Sequence, residues 1–381
     1  MPPFTVRVNR RAAARIAVGH PWIFRSDIVD AGEAQPGDVV QVAGERGRIL
    51  CQAHYSSTSQ IALRRLPDPL DWRAAISTAQ AFRDRHVRDS DAYRLVHAEA
   101  DFLPALIIDR YADTFTLQAL NQGMDRATPE IVATLIDLFQ PPGIVARNDA
   151  AVRAQENLPR ETTVLHGEIP ERIPIRMNGL QFFADLQHGQ KTGIFLDQRE
   201  NYAAVARYGK GRALDCFTST GGFALHLAGR CEQVEAVDSS ERALATAQEN
   251  ARANGIENIH WREADVFDLL SGQPVEKRYD LIVLDPPAFA KSRKQIDSAL
   301  SAYKEINLRA LKLLSAGGVL VTCSCSHHVR EADLLGTVAQ AALDARRTLR
   351  VLERRTQAAD HPILLTVPET HYLKCLVFEC V

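Results

Sequence analysis

Arg212-Ala213-Leu214-Asp215-Cys216-Phe217-Thr218-Ser219-Thr220-Gly221-Gly222-Phe223-Ala224-Leu225 reads as a strand, a glycine-containing turn and the start of a helix. The glycines let a ligand approach the backbone closely at the point where strand becomes helix. Outward from this stretch the same unit repeats. Strands are predicted at Arg212–Cys216, Val234–Asp238, Ile259–Arg262, Asp280–Asp285 and Val319–Thr322, with helices at Gly222–Ala228, Glu241–Asn254 and Ala299–Leu314. Strands alternating with helices predict an α/β class, a Rossmann-like, doubly wound and mostly parallel sheet. Thr348–Leu352 and Tyr372–Glu379 are expected to add its last two strands.

In such a sheet, ligands sit just beyond the carboxyl ends of the strands. Each of the first four strands ends in or near a carboxylate: Asp215, Asp238, Asp265 and Asp285. The turn after the first strand is neither Gly-x-Gly-x-x-Gly nor a P-loop, so its ligand need not carry a pyrophosphate. Asp215, Phe217, Thr218, Gly221, Gly222 and Phe223 are therefore candidate contacts for a nucleoside. Asp238, with Ser239 beside it, is placed to accept hydrogen bonds from ribose hydroxyls. Asp265 and Val266 offer a polar tip and an apolar face to an adenine. A nucleoside ligand without phosphates points to S-adenosylmethionine.

Asp285-Pro286-Pro287-Ala288-Phe289 closes the fourth strand. Its two prolines stiffen the turn and restrict the residue before them, which fixes the Asp285 carboxylate relative to a flat substrate. Phe289 is then available for stacking. The stretch Gly317-Gly318-Val319-Leu320-Val321-Thr322-Cys323-Ser324-Cys325-Ser326 is a β-branched apolar run that ends abruptly in small polar residues and two thiols. A thiol at that sheet edge can meet a substrate. The plainer alternative is a pair of small core residues, the commoner fate of a free cysteine.

The front of the chain differs in kind. Residues 1–68 read as short strands (Phe4–Val8, Val39–Val42, Arg48–Tyr55, Gln60–Leu66) with tight turns and one helix near Arg10–Val18, which predicts a small β-barrel. The first 66 residues hold nine arginines, no lysine and five carboxylates, a net charge of +4 in a chain whose net charge is −2. Arg10, Arg11, Trp22 and Arg25 place aromatic faces among cations, a composition suited to base stacking and phosphate contact. Pro67-Asp68-Pro69 marks a linker. Residues 69–185 read as a central α+β domain, with helices at Asp71–Asp89 and Thr128–Phe139 and strands at Tyr93–Ala98, Ala105–Asp109, Thr114–Leu120, Ile144–Arg147, Thr163–His166 and Ile173–Asn178. Residues 186–381 form the third, ligand-binding domain.

At 381 residues, 24% of them charged, the composition is that of a globular protein. No run approaches the length of a membrane span, and the amino terminus lacks the apolar core of a secretory signal, so a cytoplasmic location without membrane association is expected. Seven cysteines without a Cys-x-x-Cys pair predict no structural metal site.

The chain resembles the bacterial large-subunit ribosomal RNA methyltransferases that make 5-methylcytidine in 23S rRNA, in which a PUA domain and a small central domain precede a class I methyltransferase domain. The resemblance covers nearly the whole chain. It rests on His20-Pro21-Trp22-Ile23-Phe24, Glu99-Ala100-Asp101, the block His188–Arg199, Asp215–Phe223, Asp285–Phe289, Ser324-Cys325-Ser326 and Ala358-Ala359-Asp360-His361-Pro362. It implies that Gln190, Asp197, Gln198 and Arg199 border the cofactor, and that Cys325 rather than Cys323 attacks cytosine C6 while Asp285 holds the base. The implied partner is 23S rRNA; oligomeric state is open, with a homodimer entertained. One departure stands out. The wider class of RNA cytosine-C5 methyltransferases carries a second cysteine after the Asp-x-Pro of the fourth strand, and here that residue is Ala288. Two other functions remain open at this point: methylation of an exocyclic base nitrogen, which Asp-Pro-Pro-Ala-Phe also resembles and which needs no thiol, and a non-catalytic RNA-binding assembly factor.

Overall fold

The strand and helix predicted on either side of the Thr218–Gly222 turn both form in the computed structural model, which describes residues 4–187, 189, 193–272, 278–290 and 292–381. The chain divides into two compact units. The first comprises residues 1–175, 184–194 and 359–370, and the second residues 176–183, 195–358 and 371–381.

The first unit contains two sheets. Six short strands run in the order Trp22–Phe24, Ile61–Arg65, Ile49–Tyr55, Val39–Ala43, Phe4–Val8 and Ile28–Asp30. Two of these, Trp22–Phe24 and Ile28–Asp30, are only three residues long, too short to show an alternating pattern in sequence. The second sheet runs Thr162–Gly167, Gly143–Arg147, Thr114–Ala119, Leu106–Tyr111 and Ala92–His97, packed with helices Trp72–His86 and Gln122–Phe139. The latter helix begins six residues before the predicted Thr128. Pro129 suggests a helix start, but the Asn121 side chain accepts from the Met124 amide (2.7 Å) and caps the helix earlier. Asn178-Gly179, both at positive φ (52° and 81°), makes a tight hairpin turn between Ile173–Met177 and the unpredicted strand Leu180–Ala184.

The second unit runs α1 (Arg199–Ala206), β1 (Arg212–Cys216), α2 (Gly222–Ala228), β2 (Gln233–Asp238), α3 (Glu241–Ala253), β3 (Ile259–Glu263), α4 (Val266–Gly272), β4 (Tyr279–Leu284), α5 (Ile296–Leu313), β5 (Leu314–Ser324), α6 (Glu331–Asp344), β6 (Leu349–Arg355) and β7 (Lys374–Cys380). The sheet order is β3-β2-β1-β4-β5-β7-β6, parallel throughout except for β7. The strand order reverses between β1 and β4, and it is outside such a switch point that this class of sheet binds ligands.

Helices α1, α4 and α6 were not predicted. The signal for α6 was present: Leu334, Val338, Ala341 and Ala342 are buried at helical spacing, and the Asp333 carboxylate caps its start by accepting from the Arg330 amide (3.0 Å) and guanidinium. Leu281 to Leu284 and Leu320 to Val321 are buried on both sheet faces. Each contributes roughly 1.5–3 kcal/mol by leaving water. That core fixes where the polar ends of β1, β4 and β5 emerge. Among the described residues no helix is long and apolar enough to cross a membrane.

Candidate active site

Four clusters line the carboxyl edge of the second unit's sheet. The first is the turn after β1. Phe217, Ser219 and Gly221 adopt positive φ (65°, 50° and 88°), so three of five successive residues are left-handed. Such backbone costs free energy in non-glycine residues and persists only where its surroundings impose it. Asp215 imposes it here. Its carboxylate is fully buried, and Oδ2 accepts from Thr218 Oγ1 (2.6 Å) and the Ala224 amide (2.9 Å), tying the turn to the first residues of α2. Gly222 is a steric requirement, because a Cβ there would overlap the ring of Tyr202, itself buried edge-on against Phe223 (4.8 Å). Asp215 therefore shapes the cradle from beneath.

Asp215 Oδ1 is buried and has no hydrogen-bond partner among the described residues. Burial, with Asp285 nearby, pushes the Asp215 carboxyl up to about 7 against the opposing pull of Thr218 and Ala224. A carboxyl raised on folding favours the folded state below its unfolded value, and that contribution is lost as pH rises through the folded value. Stability of the apo-protein is therefore expected to fall between about pH 4 and 7. Asp215→Asn, neutral at every pH, should flatten that fall; thermal midpoints of the two proteins at pH 5 and 7.5 check it, and parallel curves would contradict it.

The second cluster is Asp238 at the end of β2. Its Oδ2 accepts from the Ser219 amide and its Oδ1 from the Ser240 amide (both 2.9 Å), which aims a half-exposed carboxylate across the turn. Ser239 beside it is exposed. Asp265, also exposed, caps α4 through the Asp268 amide (3.1 Å), while Val266 is buried beneath it. An anchored carboxylate, a left-handed turn with a glycine start to α2 and an orphaned buried oxygen fit a nucleoside carrying an amino-acid tail.

The third cluster surrounds Asp285. Gln198 Nε2 donates to Asp285 Oδ2 (3.0 Å), and Asn201 Nδ2 donates to Gln198 Oε1 (2.6 Å) and to the Thr356 carbonyl (3.0 Å). Arg355 Nε donates to the side-chain Oδ1 of Asn201 (2.9 Å), so a chain of donors fixes the carboxylate from behind. Asp197 accepts from the Tyr372 hydroxyl (2.8 Å), and Arg199 is buried at the start of α1 beside Glu200. Asp197, Gln198 and Arg199 thus share one turn. Gln190 lies outside the described residues. Phe289 packs on Tyr303 (4.8 Å) and faces Phe267 (6.0 Å).

The fourth cluster is the turn after β5. Cys323 is fully buried opposite Cys375, and burial raises its thiol well above the ordinary value. Cys325 is half-buried, whereas the other six of the seven cysteines are buried. The Tyr303 hydroxyl donates to Ser324 Oγ (2.8 Å) and lies 3.3 Å from Ser326 Oγ, so it braces the turn on both sides of Cys325. Ser326 Oγ accepts from the Ala290 amide (3.3 Å), which links this turn to the Asp285-Pro286-Pro287 loop. Parallel pairing of Leu284 with Thr322 brings Asp285 and Cys325 out at the same edge.

The four RNA-contact candidates of the first unit have internal partners or stand exposed. Arg11 pairs with the buried Asp27 (3.0 Å), Trp22 Nε1 donates to Glu99 (2.8 Å), and Arg25 donates to the carbonyls of Ser56 (2.9 Å) and Ser59 (2.8 Å). Arg10 is exposed at the first turn of its helix. Sequence reasoning missed Tyr202, Asn201, Tyr303 and Lys374. Only Lys374 left a visible mark, a single cation opening the otherwise apolar run Lys374-Cys375-Leu376-Val377-Phe378.

A family described as S-adenosylmethionine-dependent methyltransferase matches residues 131–379, and a PUA-like domain matches residues 6–67. A ribosomal RNA large subunit methyltransferase I of Shewanella denitrificans is 42% identical over 376 residues, 94% of each chain. Its counterpart in Tolumonas auensis is 40% identical over 394 residues, 99% of each chain. Among solved structures, SMU.776, crystallised in complex with SAH, superposes with a TM-score of 0.83 at 21% identity, covering 99% of this chain and 100% of that one. At that identity the likeness speaks for the fold.

Proposed function

Since this chain belongs to the S-adenosylmethionine-dependent methyltransferases, in the ribosomal RNA large subunit methyltransferase I family, we propose that it methylates C5 of a cytosine in 23S ribosomal RNA through a covalent bond from Cys325 to C6. The observation that carries this reading is the pairing, at one sheet edge, of a braced half-buried thiol with a carboxylate held from behind by Gln198. The basic, PUA-like first 67 residues support an RNA substrate.

Cytosine C5 is a weak nucleophile, and covalent catalysis divides one hard step into easier ones. Cys325 Sγ, as thiolate, gives its electron pair to C6. The C5–C6 π pair shifts toward C4, and N3 takes the proton of the Asp285 carboxyl, leaving an enamine with C5 nucleophilic. Bound S-adenosylmethionine supplies a methyl group on a positively charged sulfur for that carbon. The C5 proton then leaves to solvent or a base; its bonding pair re-forms C5=C6, and the S–C6 pair returns to Cys325. N3 gives its proton back to Asp285. Ala288 stands where the wider class has a second cysteine, so that thiol takes no part in release here. The target base must be unstacked for a thiol to reach its face.

Incubating 23S rRNA from a strain lacking the protein with the enzyme and labelled S-adenosylmethionine tests the reading. Label recovered as 5-methylcytidine is expected; label on an exocyclic nitrogen would overturn it.

A further inference from the structure

The steps above need Cys325 as a thiolate, and an ordinary thiol is mostly protonated at neutral pH. Lys374 lies beside that turn. It opens β7, its Cα pairs with Ser324, and its side chain is almost wholly buried. Its ammonium donates to the carbonyl of Ser326, the residue after Cys325 (2.7 Å), and to that of Tyr372 (2.8 Å). Those two bonds account for two of its three hydrogens. A lysine buried this far ordinarily has a carboxylate partner; among the described residues this one has two neutral carbonyls and no ion pair.

We propose that Lys374 is the positioning residue for the nucleophile: its ammonium ties down the Cys325 turn and stabilises the Cys325 thiolate. The inference rests on the cysteine-adduct reading given above. Burial, opposed by Cys325 and then Glu331, leaves the Lys374 ammonium at about 8, so the cation persists at neutral pH. The other titratable groups around the turn are the Tyr303 hydroxyl from α5, Asp285 from the β4 loop, Glu331 from α6, and His327 and His328 in the turn itself. Burial, with Cys325 and Asp285 nearby, raises the Tyr303 hydroxyl, so it stays neutral beside the thiolate. Lys374 is the buried cation among them, and a neighbouring cation lowers a thiol's proton affinity. The proton of Cys325 leaves to solvent, its electron pair stays on Sγ, and the ammonium remains charged. When the S–C6 bond breaks, the returning thiolate meets the same cation.

The test follows alkylation of Cys325 by iodoacetamide against pH, read on its own peptide by mass spectrometry. The wild-type midpoint is expected below the usual thiol value of about 8.5; a midpoint at or above it overturns the proposal without any variant. Lys374→Gln keeps a donor for the carbonyls but removes the charge, and should slow alkylation at pH 7 by about tenfold or more, whereas Lys374→Arg should restore it. Coincident profiles for wild type and a folded Lys374→Gln overturn it too. Alkylation uses no RNA, so the two ideas fail separately. An unshifted midpoint with Cys325→Ala still inactive removes only the role of Lys374, while methyl transfer by Cys325→Ala removes the adduct.

Discussion

Cys325→Ala is expected to lower methyl transfer to 23S rRNA by at least about a thousandfold, the scale on which losing a covalent nucleophile acts. Affinity for S-adenosylmethionine should stay within about twofold, because the proposed cofactor cradle is built from β1, β2 and the turn at Asp197–Arg199. Cys323→Ala is the control. Cys323 is fully buried against Cys375 on the neighbouring strand, so its loss should cost stability, on the order of 1 kcal/mol, with transfer retained. Transfer radiometry and calorimetry on both variants check this. Retained transfer by Cys325→Ala would leave the exocyclic-nitrogen chemistry as the better account.

Asp285→Ala should lower transfer by about a hundred- to ten-thousandfold, the range associated with a positioned proton donor or acceptor. It should also cost about 1–3 kcal/mol of stability, since the buried Gln198 amide loses its acceptor. Asp285→Asn separates the two effects. It preserves volume and offers Gln198 an oxygen, so the thermal midpoint should recover while transfer stays low. Full transfer by the asparagine variant would show that no carboxyl proton is needed at N3.

The α/β class, the turn before α2 and the carboxylates near the ends of β1 and β2 were legible because each depends on local signals: apolar runs, glycines and acidic residues at fixed offsets. What supports them was not. Tyr202 meets Gly222, and Tyr303 braces Ser324, only after helices α1 and α5 pack on the sheet. In sequence both tyrosines look like ordinary core residues on a helix face. Lys374 approaches Cys325 through an antiparallel pairing across some fifty residues of chain, a register that no local pattern encodes. Likewise Asp215 reads in sequence as one more strand-end acid, yet its oxygens point into the protein, holding Thr218 and α2. Helix α6 is the exception, since its buried positions carry the helical period.

The central claim is a bond between Cys325 and C6 of the target cytosine. Transcribing the 23S substrate with 5-fluorocytidine in place of cytidine replaces the hydrogen that must leave C5, so the adduct cannot resolve after methyl transfer. Incubated with this RNA and S-adenosylmethionine, the wild-type protein should form a complex that survives denaturation, and mass spectrometry after nuclease and protease digestion should place the nucleotide on the Cys325 peptide. Absence of any such complex with RNA that is methylated when unfluorinated, or attachment at another residue, would contradict the account.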